Sequence, residues 1–183
     1  MSEPTKKSFI ATLTLRDQNV NFLELLYGRP ALARLTLGSG GFFSGRPPTV
    51  DHSDLLGLRP RAQAVESRPL ALHFRHTDDG YILSVKNPGV YYGRVISEQA
   101  LDAFEAVGSD DEDATIFNLI TPEDTPLSTK LLSNKQLLIS LKIKDKHYAG
   151  GLKMKGSPYI YLGRTEKRSK IVFALTILER EVP

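Results

Sequence analysis

Cysteine is missing from the 183-residue chain, which excludes disulfides, thiol nucleophiles and Cys-ligated zinc or iron–sulfur centres. It also leaves the redox compartment open. No run of 18 apolar residues occurs, so no transmembrane helix is expected. The N-terminal stretch "MSEPTKKSFIATLTLRDQ" carries two lysines, but Thr12, Thr14 and Arg16 interrupt its apolar part. That is a poor secretory signal, and it favours a cytoplasmic protein.

Catalytic signatures are equally scarce. "GSGG" at 38–41 has no Lys-Ser/Thr after it, so it is not a phosphate loop. No nucleophile elbow, HExxH or kinase set is present. "DDED" at 110–113 lacks the spaced ligands and glycine of an EF-hand. His73 and His76 stand three apart on a strand-like run, which turns them to opposite faces and suits no metal. "DHSD" gathers Asp51, His52 and Asp54 but offers no further ligand or nucleophile. A non-enzyme is expected, with no catalytic residue, no cofactor and no metal site.

What the chain does have is segregated charge. The formal net charge is +3. Residues 97–124 nevertheless hold nine acidic side chains and no Lys or Arg, whereas 130–170 hold eleven Lys or Arg against Asp145 and Glu166. Such asymmetry bears on partners rather than on fold.

Period-two patterns dominate the rest. "FIATLTL" (9–15), "LALHF" (70–74) and "LISLKIK" (138–144) alternate apolar with small or polar residues, as half-buried strands do. Turn chemistry follows each: "RDQN", "HTDDG" and "KDKH". Second strands are expected at "NFLEL", "YILSV" and "YAGGL". Then come "LLYGR" (25–29), "VYYGR" (90–94) and "IYLGR" (160–164), and each copy closes on "ARLTL", "TIFNLI" or "IVFALTIL". The motif glycines Gly28, Gly93 and Gly163 are 65 and 70 residues apart, so the repeat spans the chain. On this reading Arg29, Arg94 and Arg164 are equivalent surface positions. The expectation is one domain over 1–183, with repeats near 8–37, 70–120 and 137–178. A long Gly/Pro/Arg-rich loop over 38–69 separates the first two. "SEQALDAFEAVG" (97–108) reads as one short helix in the second repeat, capped by Ser97 and ended by Gly108.

Three units of four short strands, each with a central hairpin, resemble the β-trefoil superfamily. That group includes fascin-like domains, lectins, protease inhibitors and heparin-binding growth factors. The resemblance covers most of 9–178 and implies an all-β closed barrel of three four-strand repeats that binds ligands through hairpins and connections. The chain departs from two branches: without tryptophan it lacks the Gln-x-Trp of ricin-type lectins, and without cysteine it lacks the disulfides usual in Kunitz-type inhibitors. If the resemblance holds, 9–15 pairs with 171–178. A shorter likeness, over "YIYLGR" and "IVFAL", looks like the C-terminal domain of some restriction-type helicases.

The basic third supplies the candidate site. Alternation puts Lys142, Lys144 and Lys146 on one strand face, with Lys153 and Lys155 beyond and Arg164, Lys167 and Arg168 in the next turn. Tyr148, Tyr159 and Tyr161 are candidate stacking platforms. This set points to a carbohydrate, an anionic or sulfated glycan among the candidates. The acidic 97–124 segment stands against it as an internal neutraliser. Two alternatives remain open: a protein partner, met by Phe42, Phe43 and Arg46 in the long loop, and nucleic acid, drawn to the basic patch.

Overall fold

The computed structural model describes residues 7–35, 48–144 and 146–180. Fourteen strands dominate these residues: β1 (Phe9–Thr14), β2 (Gln18–Phe22), β3 (Leu32–Arg34), β4 (Thr49–Asp51), β5 (Leu56–Pro60), β6 (Leu70–Thr77), β7 (Gly80–Val85), β8 (Val95–Glu98), β9 (Phe104–Val107), β10 (Phe117–Ile120), β11 (Gln136–Ile143), β12 (His147–Lys153), β13 (Ile160–Thr165) and β14 (Phe173–Arg180). One α-helix, α1 (Leu23–Tyr27), follows β2 directly. Twelve strands share one antiparallel sheet, and β3 and β4 form a separate pair. The chain is all-β, as its alternation predicts.

The longest strands build the core by period two. On β1 the side chains of Phe9, Ala11 and Leu13 are buried; so are Leu70, Leu72 and Phe74 on β6, Ile139, Leu141 and Ile143 on β11, and Phe173, Leu175 and Ile177 on β14. Intervening positions stay half-buried or exposed, except Ser140 on β11, which is buried with its hydroxyl donating to the Ile171 carbonyl at 2.8 Å. The register matches these rows: Leu13 sits opposite both Leu70 and Leu175, and Phe9 opposite Phe74. Burying one such side chain contributes roughly 1.5–3 kcal/mol, so a one-residue slip would turn three of them outward at once. The pairing of 9–15 with 171–178 is present, from Phe9 opposite Arg180 to Thr14 opposite Ala174, with a bulge between Ile10 and Ala11.

Six strands pair in sequence as β1–β6, β6–β7, β7–β10, β10–β11, β11–β14 and β14–β1. The hairpins β8–β9 and β12–β13 and the pair β2–β5 leave this set. They touch one another through β13–β5 and through the bridges Leu55–Glu105 and Ala103–Gly163. A second apolar cluster of Leu23, Leu26, Ala31, Ala33, Leu55, Ala103, Tyr159 and Tyr161 lies under α1 and the β3–β4 pair.

Several sequence expectations need correction. The helix over 97–108 is the β8–β9 hairpin instead: Phe104 and Ala106 alternate inward, and Leu101 and Asp102 both take φ of 65°, which no right-handed helix tolerates. The helix that does form, α1, belongs to the first third, where "NFLEL" was expected to continue as a strand. The 38–69 segment is not a single loop, because β4 and β5 lie within it and β5 pairs with both β2 and β13. The three motif glycines are not equivalent. Gly28 ends α1 at φ 66°, Gly93 sits in a turn at φ 78°, and Gly163 lies within β13. The shared Gly-Arg pair therefore does different local work in each copy, and Arg29, Arg94 and Arg164 occupy different settings.

Candidate functional site: a groove along strand β10

Strand β10 is held to β7 by one residue pair, Phe117 opposite Tyr81, but to β11 by four. The surface above this thin seam is hollow. Two cavities of about 610 and 710 Å³ adjoin there and share Asp79, Asn118 and Lys144 in their walls. Such volumes fall within the usual range for small-ligand sites.

Local sequence explains the seam. Thr77 and Gly80 close the β6–β7 turn, and the Thr77 hydroxyl donates to the Gly80 carbonyl at 3.1 Å. Gly80 has φ of 146°, and a Cβ there would lie 2.7 Å from the Phe117 carbonyl oxygen and 2.9 Å from the Ile116 side chain. Only glycine allows the turn to cross the start of β10 so closely. The crossing carries Asp78 and Asp79 to the rim. On β10, Phe117 and Leu119 point inward, so Asn118 between them points out. Asn118 faces Lys142 across the β10–β11 register.

The first cavity also takes Lys7, His76, Asp78, Asp124 and Lys142 into its wall. His76 packs edge-on against Tyr81, with ring centres 5.2 Å apart. Burial, reinforced by Lys7, holds its imidazole below the ordinary histidine value, so it is neutral near pH 7. Asp124 binds Lys167 at 2.9 Å and accepts the Tyr148 hydroxyl at 3.0 Å. The hydrogen bond from Lys167 leads in keeping the Asp124 carboxyl below its ordinary value. The second cavity is lined by Glu98, Gln99, Glu112, Asp113 and Thr115, among others.

The basic set expected from sequence does not form one patch. β11 ends at Ile143, and Lys144 takes φ of 53° in the following turn, so Lys142, Lys144 and Lys146 do not share a strand face. Lys142 and Lys144 line the groove, and Lys142 sits 5.7 Å over the Tyr148 ring. Lys146 is exposed in the turn, while Lys153 and Lys155 are exposed at the far end of β12. Seven residues of strand separate Lys146 from Lys153, about 23 Å at 3.3 Å per residue.

The rest of the set is occupied elsewhere. Arg164 reaches Glu98 at 3.0 Å and Asp102 at 2.6 Å. Arg168 pairs with Glu166 at 3.2 Å, and Lys170, outside the set, donates to the Pro122 carbonyl at 2.8 Å. The acidic 97–124 segment thus neutralises Arg164 and Lys167 from within the chain. Tyr148 and Tyr159 are 4 % and 6 % exposed and Tyr161 is 0 % exposed, so none offers a free ring face. Tyr159 and Tyr161 pack in the second apolar cluster, and the Tyr148 ring is covered by Lys142 and Lys170. Phe42, Phe43 and Arg46 lie outside the described residues.

"DHSD" is structural. The Asp51 carboxylate accepts the Ser53 amide at 2.9 Å and its hydroxyl at 2.5 Å. His52 faces the other way, with Nδ1 2.7 Å from the Tyr161 hydroxyl, which is itself 2.5 Å from the Ser157 hydroxyl. Asp54 accepts the Tyr91 hydroxyl at 2.8 Å. The Ser53 hydroxyl donates to Asp51 and accepts the Ala31 amide at 3.0 Å, while His52 is turned away from it towards Tyr161. Among the described residues, no three His, Asp or Glu side chains gather as metal ligands.

Sequence reading missed Asp79 and Asn118. "HTDDG" signalled only a turn, and Asn118 was one polar letter inside "TIFNLI". The single cue was that a lone outward amide in an otherwise apolar strand must face water or a ligand. Compared with protein-family models, curated proteins and solved structures, the chain finds no match. Among the described residues no helix is long and apolar enough to cross a membrane.

Proposed function

We propose that this chain is a non-catalytic recognition protein of β-trefoil-like architecture, and that it binds carbohydrate in the groove along β10. The architecture rests on the six strand pairings that return from β14 to β1, with three hairpin-like pairs carried outside them. On this reading the repeats are β1–β2–β5–β6, β7 to β10 and β11 to β14. The first is extended by α1 and the β3–β4 pair. Closure of this kind leaves the long strands without free edges.

One observation carries the ligand reading: the two adjoining cavities share Asp79, Asn118 and Lys144. A carboxylate, an amide and an ammonium side by side supply the donors and acceptors that vicinal hydroxyls need. Asn118 sits on a strand and Asp79 in a glycine-locked turn, so little ordering of these two is required on binding, while Lys144 reaches in from the turn after β11. A purely anionic ligand is less well served, since acids alternate with the lysines. Nucleic acid is disfavoured for the same reason. Lack of catalysis is inferred from the commitment of the Asp51, His52 and Asp54 groups to structural hydrogen bonds.

The test is retention on a panel of neutral, amino and anionic glycan resins at rising salt. Retention on at least one resin should be lost in Asn118→Ala and kept in Lys153→Glu/Lys155→Glu. Retention that only the latter pair abolishes would move the site to the lysines at the end of β12. Retention on none would end the carbohydrate reading.

A further inference from the structure

The groove is electrically divided. In the first cavity Asp124 is already committed to Lys167 and Tyr148. Lys7, Lys142 and Lys144 are left facing Asp78 and Asp79. In the second, Glu98 is committed to Arg164 at 3.0 Å, which leaves Asp79, Glu112 and Asp113 facing Lys144 alone. Asp79 and Lys144 belong to both and offset each other at the waist. One lobe therefore keeps a cationic surplus of one charge, Lys7 and Lys142 against Asp78, and the other an anionic surplus from Glu112 and Asp113.

No ion pair occupies Lys142, Lys144, Glu112 or Asp113 among the described residues. Asp111, one residue away, is tied to Arg75 at 2.6 Å. That tie holds the Asp111–Asp113 turn in place, and the Asp113 carbonyl also accepts the Ser97 hydroxyl. The free carboxylates thus stand on an anchored turn. From Thr115 in one lobe to Ile120 in the other is five residues of extended chain, about 16 Å. A single small ion cannot span that distance; an oligomer can.

From this division we infer, resting on the carbohydrate reading above, that the groove selects a zwitterionic glycan. It would take a chain bearing a free amine at the Glu112–Asp113 lobe and a carboxylate or sulfate at the Lys7–Lys142 lobe. A ligand of either charge alone meets one matching lobe and one opposed lobe. Opposed charge costs affinity where matched charge adds it, so selectivity comes from both ends.

De-N-sulfated heparin oligosaccharide, which has free amines among its carboxylates and sulfates, is the probe. Its re-N-acetylated form keeps the anions and lacks the amine. Isothermal titration at about 50 mM and about 150 mM salt compares the two, with a neutral dextran oligosaccharide alongside. The two forms differ by one matched contact, the amine at the Glu112–Asp113 lobe, which at near 1 kcal/mol predicts about five-fold tighter binding of the amine-bearing form. Glu112→Gln/Asp113→Asn should erase that preference while leaving the N-acetylated form's affinity equal or stronger. Lys142→Ala should weaken both anionic forms. Glu112 and Asp113 are exposed, so the variant folds, and circular dichroism checks this. Equal binding of both heparin forms, or a preference that survives the Glu112/Asp113 change, overturns the inference while glycan binding stands. Binding of dextran alone does the same. No binding of any probe overturns the inference and the carbohydrate reading together.

Discussion

Arg164 shows how one side chain joins two elements. It projects from β13, and its two terminal nitrogens reach Glu98 at the end of β8 at 3.0 Å and Asp102 in the β8–β9 turn at 2.6 Å. The neighbouring Gly163 leaves room for the Asp102 carbonyl, which a Cβ would strike. The fork fits guanidinium geometry and not an ammonium. The site is partly wet, with Arg164 31 % exposed, so its worth is discounted to about 1 kcal/mol. Arg164→Lys should lose most of that, read as a lower urea midpoint with an unchanged slope. An unchanged midpoint would mean the pairs are idle. Tyr161 is the buried counterpart. Its hydroxyl meets His52 and Ser157 at 2.7 and 2.5 Å, and Tyr161→Phe strands both. A loss of about 1–3 kcal/mol is expected, and less than half of one would show that the pair relaxes onto water.

Among the elements, the β8–β9 hairpin is where local preference and fold disagree. Leu101 and Asp102 both sit at φ 65°, a conformation costing roughly 1–2 kcal/mol for a side chain that is not glycine or asparagine. Leu101 is 52 % exposed, so its side chain recovers little by burial. Leu101→Asn should therefore stabilise by about 1 kcal/mol and raise the melting temperature by about 2–4 °C. A fall instead would show that Leu101 packs on a neighbour in solution. The same hairpin marks the limit of what the letters disclose. Leu101, Phe104 and Val107 fit a helical face as well as they fit a strand, and the tertiary contact with Gly163 decides between them. Strands β1, β6 and β14 were legible because eight- and six-residue alternation admits one reading. α1 was not, since "LELLY" after a strand carries no break. The groove was hidden for a different reason: Asp79, Asn118 and Lys144 come from three separate segments, and only pairing through Phe117, Tyr81 and Lys142 brings them together.

For the whole molecule, the groups that titrate between neutral and acid pH mostly push the same way. Burial keeps His52 below 6.5 against the pull of Asp51, and burial with Lys7 keeps His76 below it too. In the unfolded chain both regain the ordinary value, so below it the unfolded state binds more protons than the folded one. Stability is then complete above about pH 6.5 and declines as pH falls through the interval beneath. A second decline follows at more acid pH. There the hydrogen bonds from Ser53 to Asp51 and from Lys167 to Asp124, which hold both carboxyls below 3.8, are lost on protonation. Glu105 runs the other way: burial and then Asp54 raise its carboxyl above 4.5, so ionising it in the folded state weakens the fold as pH rises past that value. Between pH 5 and 7 two histidines favour the fold as pH rises and one glutamate opposes it. Urea midpoints taken across that range should rise with pH, and His52→Gln/His76→Gln should flatten the rise. A slope that survives the double change would place the titrating groups elsewhere.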